Sequence, residues 1–137
     1  MNTRLLMTAS AVFMGLTGIA LSFMPSEILE YLGQVPNPIL TLTLQLMGAL
    51  YFGFAITNWM AKGNLMGGIY GKPLCIGNLA HFLIGGLALL KFVFNNNTDS
   101  NKIQTFFLIL ALIYLVLAIS FTYIFFTTPK SVKRNIK

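Results

Sequence analysis

The chain has 137 residues, of which 56% are apolar and only 9% are charged, and its mean hydropathy is +0.77. Soluble domains carry about 25% charged residues. So few charges cannot cover a water-facing surface, and the sequence therefore predicts a protein whose solvent is the lipid bilayer. The single cysteine, Cys75, excludes an internal disulfide, and no Cys/His spacing indicates a metal site.

Four apolar runs are long enough to cross a hydrocarbon core of about 30 Å, which needs about 20 helical residues. We predict membrane-spanning helices at residues 5–24, 38–61, 73–94 and 103–126. The short alternating segments of a transmembrane β-barrel are absent from the sequence. The prediction is an all-α polytopic membrane protein, with four transmembrane helices in an antiparallel bundle that forms one domain over residues 1–137.

The first apolar run has a second interpretation, a cleaved signal peptide. Arg4 precedes the run, and Ala20-Leu21-Ser22 loosely resembles a cleavage site. The run is longer than the apolar region of such peptides, and we therefore predict a membrane helix.

The segment between the first two spans, "PSEILEYLGQVPNP", contains the pattern of a short amphipathic helix. Ser26 is placed to cap it. Its apolar and acidic residues fall on opposite sides, Ile28, Leu29 and Leu32 against Glu27 and Glu30. We predict a short helix at the membrane interface, with an ordinary loop as the equal alternative for so brief a stretch.

Local signals at the helix ends support these boundaries. Asn37 followed by Pro38 is typical of a helix start, because the proline lacks an amide that would have no partner there. Gly71-Lys72-Pro73 predicts a start of the same kind, and Lys62-Gly63-Asn64 is suited to a C-terminal cap.

The basic residues predict the orientation of the four spans. Seven of the nine lysines and arginines fall on the side that holds both termini, and two fall on the other side. By the positive-inside rule both termini are cytoplasmic. The basic tail, residues 127–137, then lies against anionic lipid. A nucleic-acid partner is not expected, because no folded basic module accompanies the tail.

Polar side chains within the spans are the candidate site. The spans contain no Asp or Glu, which disfavours proton-coupled transport and acid–base catalysis. Tyr51 and Asn58 share a helix face because they are seven residues apart. Asn78 and His81 lie on one predicted stripe with Gly85 and Ala88. The predicted cluster, in the cytoplasmic half, contains Asn58, Asn78, His81, Tyr51, Ser120 and Tyr123.

Two interpretations of this cluster remain open. In one, the polar groups only bond across helices, because an unsatisfied polar group in hydrocarbon costs several kcal/mol. In the other, they line a cytoplasm-facing pocket for a small hydrophobic or quinone-like ligand, with neutral His81 as donor or acceptor. One histidine without a carboxylate, nucleophile or metal makes a poor catalytic set, so we predict no catalytic residue and no cofactor.

A second group of residues predicts anchoring at the membrane surface. Trp59, Tyr70, Lys62 and Lys72 flank the glycine-rich loop after the second span. Aromatic residues beside lysine are typical of the headgroup level. The alternative, a phosphate-binding loop, is disfavoured because the glycine spacing fits no P-loop or dinucleotide pattern.

Two stretches, "GALYFGFAITNWMAKG" and "GNLAHFLIGGLALLK", resemble the second and third helices of small bacterial four-helix membrane proteins, the DoxX-like and related families. The likeness covers roughly half of the chain and rests on size, topology and glycine, alanine and aromatic content. It implies a four-helix bundle in a bacterial inner membrane and supplies no active-site motif. The related eukaryotic sterol isomerases use membrane-embedded acidic residues, which these spans lack.

Three hypotheses of function follow from the sequence. The first is a non-enzymatic subunit or accessory of a larger membrane assembly or homo-oligomer, with small-residue faces such as Gly15 and Gly18 available to a partner. The second is a carrier or sensor of a small hydrophobic ligand. The third is a membrane enzyme of the DoxX-like type.

Overall fold

The computed structural model describes residues 2–63, 71–95 and 101–127, of which 90% are helical and none form strands. The helices are α1 (Thr3–Phe23), α2 (Pro25–Tyr31), α3 (Pro38–Ala61), α4 (Gly71–Asn95) and α5 (Asn101–Phe126). Four of them are long and apolar enough to cross a membrane. The predicted all-α class with four spans is confirmed, and the predicted ends differ from the observed ones by about two residues or fewer.

Asparagine side chains begin the first and third helices. The Asn2 Oδ1 atom accepts from the Arg4 amide at 3.1 Å. The Asn37 Oδ1 atom accepts from the Leu40 amide at 2.9 Å, with Pro38 in the first turn as predicted. These caps satisfy backbone donors that have no partner within the helix.

The segment after α1 is a helix, so the alternative of an ordinary loop is wrong. Ser26 is not its cap, because α2 begins one residue earlier at Pro25, whose fixed φ already suits the first helical position. Leu29 is buried and both glutamates are exposed, as predicted. At Gly33 (φ 72°) the chain turns out of the helix, and the Gln34 amide donates to the Leu29 carbonyl at 2.9 Å.

The predicted cap at Lys62-Gly63-Asn64 is not observed as a left-handed glycine turn. Lys62 keeps a right-handed helical conformation, and among the described glycines only Gly33 has a positive φ. The ammonium group of Lys62 lies 3.0 Å from the centroid of the Trp59 ring. Residues three apart are neighbours on a helix, so the helical conformation of Lys62 brings its side chain to Trp59.

The helices form two compact units, and the first, Asn2–Gly63, contains an antiparallel pair of α1 and α3. The pair crosses at Gly18 and Gly48. A Cβ atom on Gly18 would lie 2.8 Å from the Phe52 backbone nitrogen, and one on Gly48 would lie 2.8 Å from the Gly18 carbonyl oxygen. The two backbones touch, which only glycine permits.

This crossing corrects one expectation about Gly15 and Gly18. Both were predicted to be available to a partner protein, yet both pack within the pair, Gly15 against Ala55 and Gly18 against Gly48 and Phe52. A glycine lets any helix approach closely, and here the helix that approaches is α3 of the same chain.

The second unit, Asn64–Lys137, contains the antiparallel pair of α4 and α5. Phe82 and Phe121 are fully buried and stack with ring centroids 5.8 Å apart. Cys75 is also fully buried, and its Sγ atom lies 3.5 Å from the Phe121 carbonyl oxygen. Aromatic stacking therefore occupies the middle of this interface.

The buried stripe of α4 is displaced from the predicted one. It runs through Cys75, Asn78, Phe82 and Gly86, while Ala88 is exposed. The reason is Phe82, whose ring takes the central position and places His81 and Gly85 at the edge of the interface. How the two units are arranged in one bundle stays a prediction.

We expect Gly48→Ala to lower the free energy of unfolding by about 1–3 kcal/mol, because overpacking must push the two helices apart. Thermal unfolding in detergent, followed by circular dichroism, measures this loss. Gly53→Ala on the same helix is the matched control, since a Cβ there would meet nothing within 4 Å. Equal unfolding midpoints for the two variants would contradict the close crossing.

Candidate functional site

Asn58 is fully buried on the α1 side of α3. Its Nδ2 atom donates to the Ser10 hydroxyl at 3.1 Å and lies 3.7 Å from the Met14 sulfur. The Ser10 hydroxyl in turn donates to the Met7 carbonyl at 3.1 Å. The carboxamide thus joins α1 to α3 by a bond between side chains 48 positions apart in the sequence.

Tyr51 lies two turns before Asn58 on α3 and is half-buried. Gly48 and Ala55, the small residues on the same side, are buried against α1. Gly48, Ala55 and Asn58 of the predicted face form the surface that α1 covers.

Asn78 is fully buried on α4. Its Nδ2 atom donates to the Leu74 carbonyl one turn earlier, at 2.9 Å. The bond supplies a partner within the same helix, which stabilises an amide in an environment without water.

His81 is half-buried and is surrounded by aromatic rings of its own unit. Its ring meets Phe82 edge-on at 5.0 Å and Tyr114 at 5.6 Å between centroids. The Nε2 atom lies 3.5 Å from the Tyr114 hydroxyl, and the tautomer of the histidine decides which of the two donates. The arrangement joins α4 to α5 at the level of their aromatic interface.

Ser120 and Tyr123 do not share the burial of Asn78. Ser120 is half-buried, and Tyr123 is 55% exposed near the end of α5. Within the second unit, Asn78 is therefore buried and Tyr123 is exposed. Asn58 and Tyr51 lie in one unit and the other four predicted residues in the other, so their grouping as one cluster stays a prediction.

Two of the predicted interface anchors form a contact. The Lys62 ammonium over the Trp59 ring is a cation–π pair at the end of α3. Lys72 is exposed at the start of α4. Tyr70 lies outside the described residues.

Comparisons with protein-family models, with curated proteins and with solved structures found no match for this chain.

The polar contacts of the described residues are mostly structural. Hydroxyl groups within the spans donate to the carbonyl four residues earlier at 2.8–2.9 Å, in Thr8, Thr17, Thr43, Thr57 and Thr122. Among the described residues no buried side-chain nitrogen or oxygen lacks a partner. In the same part of the chain no three His, Cys, Asp or Glu side chains meet as potential metal ligands. The threonine bonds satisfy hydroxyl groups within single helices, and the bond of Asn58 with Ser10 joins two helices.

Two residues outside the predicted cluster are partners of its members, Ser10 of Asn58 and Tyr114 of His81. A sequence signal existed for each. Ser10 lies beside the stripe of Met7, Ala11 and Met14 on α1, and Tyr114 lies three residues after Ala111 and seven before Phe121 on α5. These spacings of three, four and seven place each polar group on a buried helix face.

A double-mutant cycle tests the bond between α1 and α3. We expect Ser10→Ala and Asn58→Ala to show a coupling of about 0.6–2 kcal/mol in unfolding free energy, the range for interhelical hydrogen bonds in membranes. Ser10→Ala combined with Thr57→Val is the control, because the Thr57 hydroxyl bonds within α3 to the Gly53 carbonyl. Additive effects in both cycles would rule out the bond.

Proposed function

We propose that this chain is a small multi-pass protein of a bacterial inner membrane that acts as a non-enzymatic subunit of a larger membrane assembly. The observation that carries this proposal is the role of the buried amide groups. The Asn58 amide contacts the Ser10 hydroxyl and the Met14 sulfur, and the Asn78 amide donates to the Leu74 carbonyl. The Asn58 amide joins α1 to α3 and the Asn78 amide bonds within α4, and amides used in this way supply no reacting set for substrate chemistry.

The exposed surface supports the same proposal. Only 11% of the α3 span is buried, the lowest share of the four spans. Lipid can cover exposed apolar side chains, but a long exposed helix face is also the kind of surface to which another membrane protein binds. The resemblance to DoxX-like proteins is part of this proposal and rests on the glycine-rich stretches 48–63 and 77–91.

The proposed orientation places both termini in the cytoplasm. In the first unit Arg4 and Lys62 lie at one end of the antiparallel pair, and Glu27 and Glu30 lie on α2 at the other end. The positive-inside rule assigns the basic end to the cytoplasm.

Cysteine labelling tests this orientation. A cysteine introduced at Asn2 in a Cys75→Ala background should react with a membrane-impermeant maleimide only after the cells are opened. Reaction with intact spheroplasts would place the N-terminus outside and contradict the proposed orientation.

Native mass spectrometry of the protein released from nanodiscs tests the role as a subunit. We expect a complex of fixed stoichiometry, with another membrane protein or with further copies of this chain. A monomer that retains a small apolar molecule would contradict the proposal and support the alternative, a carrier or sensor. His81→Ala should then release that molecule, whereas Tyr123→Phe, at an exposed position, should retain it.

A further inference from the structure

Two basic residues lie at the same height at one end of the first unit. The bond between Ser10 and Asn58 fixes the heights of α1 and α3 relative to each other. Arg4 lies six residues before Ser10, and Lys62 lies four residues after Asn58. Since the helices are antiparallel, these steps run in the same direction, over about 9 Å and about 6 Å at 1.5 Å per residue. The heights of Arg4 and Lys62 therefore differ by only about 3 Å.

The two residues also begin on the facing sides of their helices. Arg4 is seven residues before the buried Ala11, which places it about 20° from that residue around α1. Lys62 is one turn after Asn58, about 40° away around α3. The guanidinium and the ammonium thus belong to adjacent sides of two packed helices. Like charges in this arrangement repel each other, and a shared anion between them removes the repulsion.

The described chain supplies no anion for these cations. Neither Arg4 nor Lys62 forms an ion pair with a described residue. The carboxylates of the first unit, Glu27 and Glu30, lie on α2 at the other end of the helix pair. Every charged residue that the structure describes in the second unit is a lysine. The described part of that unit therefore offers no carboxylate to this end, whatever its position.

Trp59 adds a third hydrogen-bond donor. The Lys62 ammonium lies 3.0 Å from the centroid of the Trp59 ring, and the hydrogens that do not face the ring can still bond. The indole N–H is a donor only, and it bonds to no described residue. A guanidinium, an ammonium and an indole together offer donors and no acceptor. Such a set is complementary to the several oxygens of a phosphate group.

The depth of the two cations indicates which phosphate is available. Arg4 lies in the first turn of α1, and Lys62 follows the last residue of α3. The 21 residues of α1 span about 31 Å, which matches a hydrocarbon core of about 30 Å. Both side chains therefore begin at the level of the lipid headgroups, where phospholipids carry their phosphates.

We propose that Arg4, Lys62 and Trp59 form a binding site, the Arg4–Lys62 site, for the phosphate group of an anionic phospholipid. A zwitterionic headgroup carries its own cation beside the phosphate, and two protein cations repel that cation. An anionic headgroup carries none, and it neutralises both side chains at once. The proposal does not depend on the role as a subunit, because it concerns one copy of the chain and its lipid.

The fluorescence of Trp59 tests the site directly, because Trp59 is the single tryptophan of the chain. The protein is placed in vesicles of phosphatidylcholine with a minor share of phosphatidylglycerol, and either lipid carries bromine on its acyl chains as a contact quencher. Each basic residue near the surface favours anionic lipid about five-fold in affinity. We expect phosphatidylglycerol to be preferred beside Trp59 by roughly ten-fold or more. Equal quenching by the two lipids at equal mole fraction would overturn the proposal.

Substitutions separate this site from a general attraction of positive charge. Arg4→Gln should lower the preference about five-fold, and Arg4→Lys should restore most of it. Lys72→Gln is the matched control, since it removes one exposed positive charge from outside the site and should retain the preference. An equal loss in Arg4→Gln and Lys72→Gln would overturn the Arg4–Lys62 site. Arg4 is exposed, so the thermal unfolding midpoint should be the same in Arg4→Gln.

Inorganic phosphate distinguishes a lipid from a soluble ligand. Added to the same vesicles, it should leave the quenching by brominated phosphatidylglycerol equal to that in sodium chloride of the same ionic strength. Displacement of the lipid by phosphate, and not by chloride, would assign the site to a free phosphate and overturn the lipid as its ligand.

Discussion

Hydrocarbon offers no hydrogen bonds, and this constraint governs every polar side chain in the four long helices. Threonine hydroxyls find a hydrogen-bond partner within their own helix, the carbonyl one turn earlier. Asn78 does the same through the Leu74 carbonyl. Asn58 is different, because its partner is Ser10 on α1. That bond fixes the register of the pair: with Ser10 opposite Asn58, the antiparallel helices bring Gly18 to Gly48 about two to three turns away.

The two helix pairs use different means to hold together. In the pair of α1 and α3, glycines bring the backbones into contact and one buried amide sets the register. In the pair of α4 and α5, Phe82, Phe121 and Tyr114 fill the interface with rings. In lipid, little hydrophobic driving force acts between helices. Dispersion between closely packed atoms therefore stabilises both pairs.

The fold could be predicted from the sequence because length and composition decide it: a run of twenty apolar residues has few alternatives to a membrane helix. The α3 face with Gly48, Ala55 and Asn58 followed from spacing alone. The α4 stripe was misplaced by one residue because small residues were given more weight than Phe82, whose volume decides the interface. The partners Ser10 and Tyr114 depend on which helices meet, and no local pattern contains that information. Ser26 is not the cap that was predicted, because the fixed φ of Pro25 already suits the first helical position and α2 begins there.

The packing of the first unit requires α1 to have one face covered by α3 and the opposite face, with Val12 and Leu16, exposed. Spin labels in vesicles, in a Cys75→Ala background, measure it through collision rates with oxygen and with a water-soluble relaxation agent. Labels at the exposed Val12 and Leu16 should collide often with oxygen, labels at the buried Ala11 and Met14 should collide seldom, and all four should be shielded from the aqueous agent. Frequent collision with the aqueous agent along α1, or equal oxygen rates at all four positions, would contradict the account.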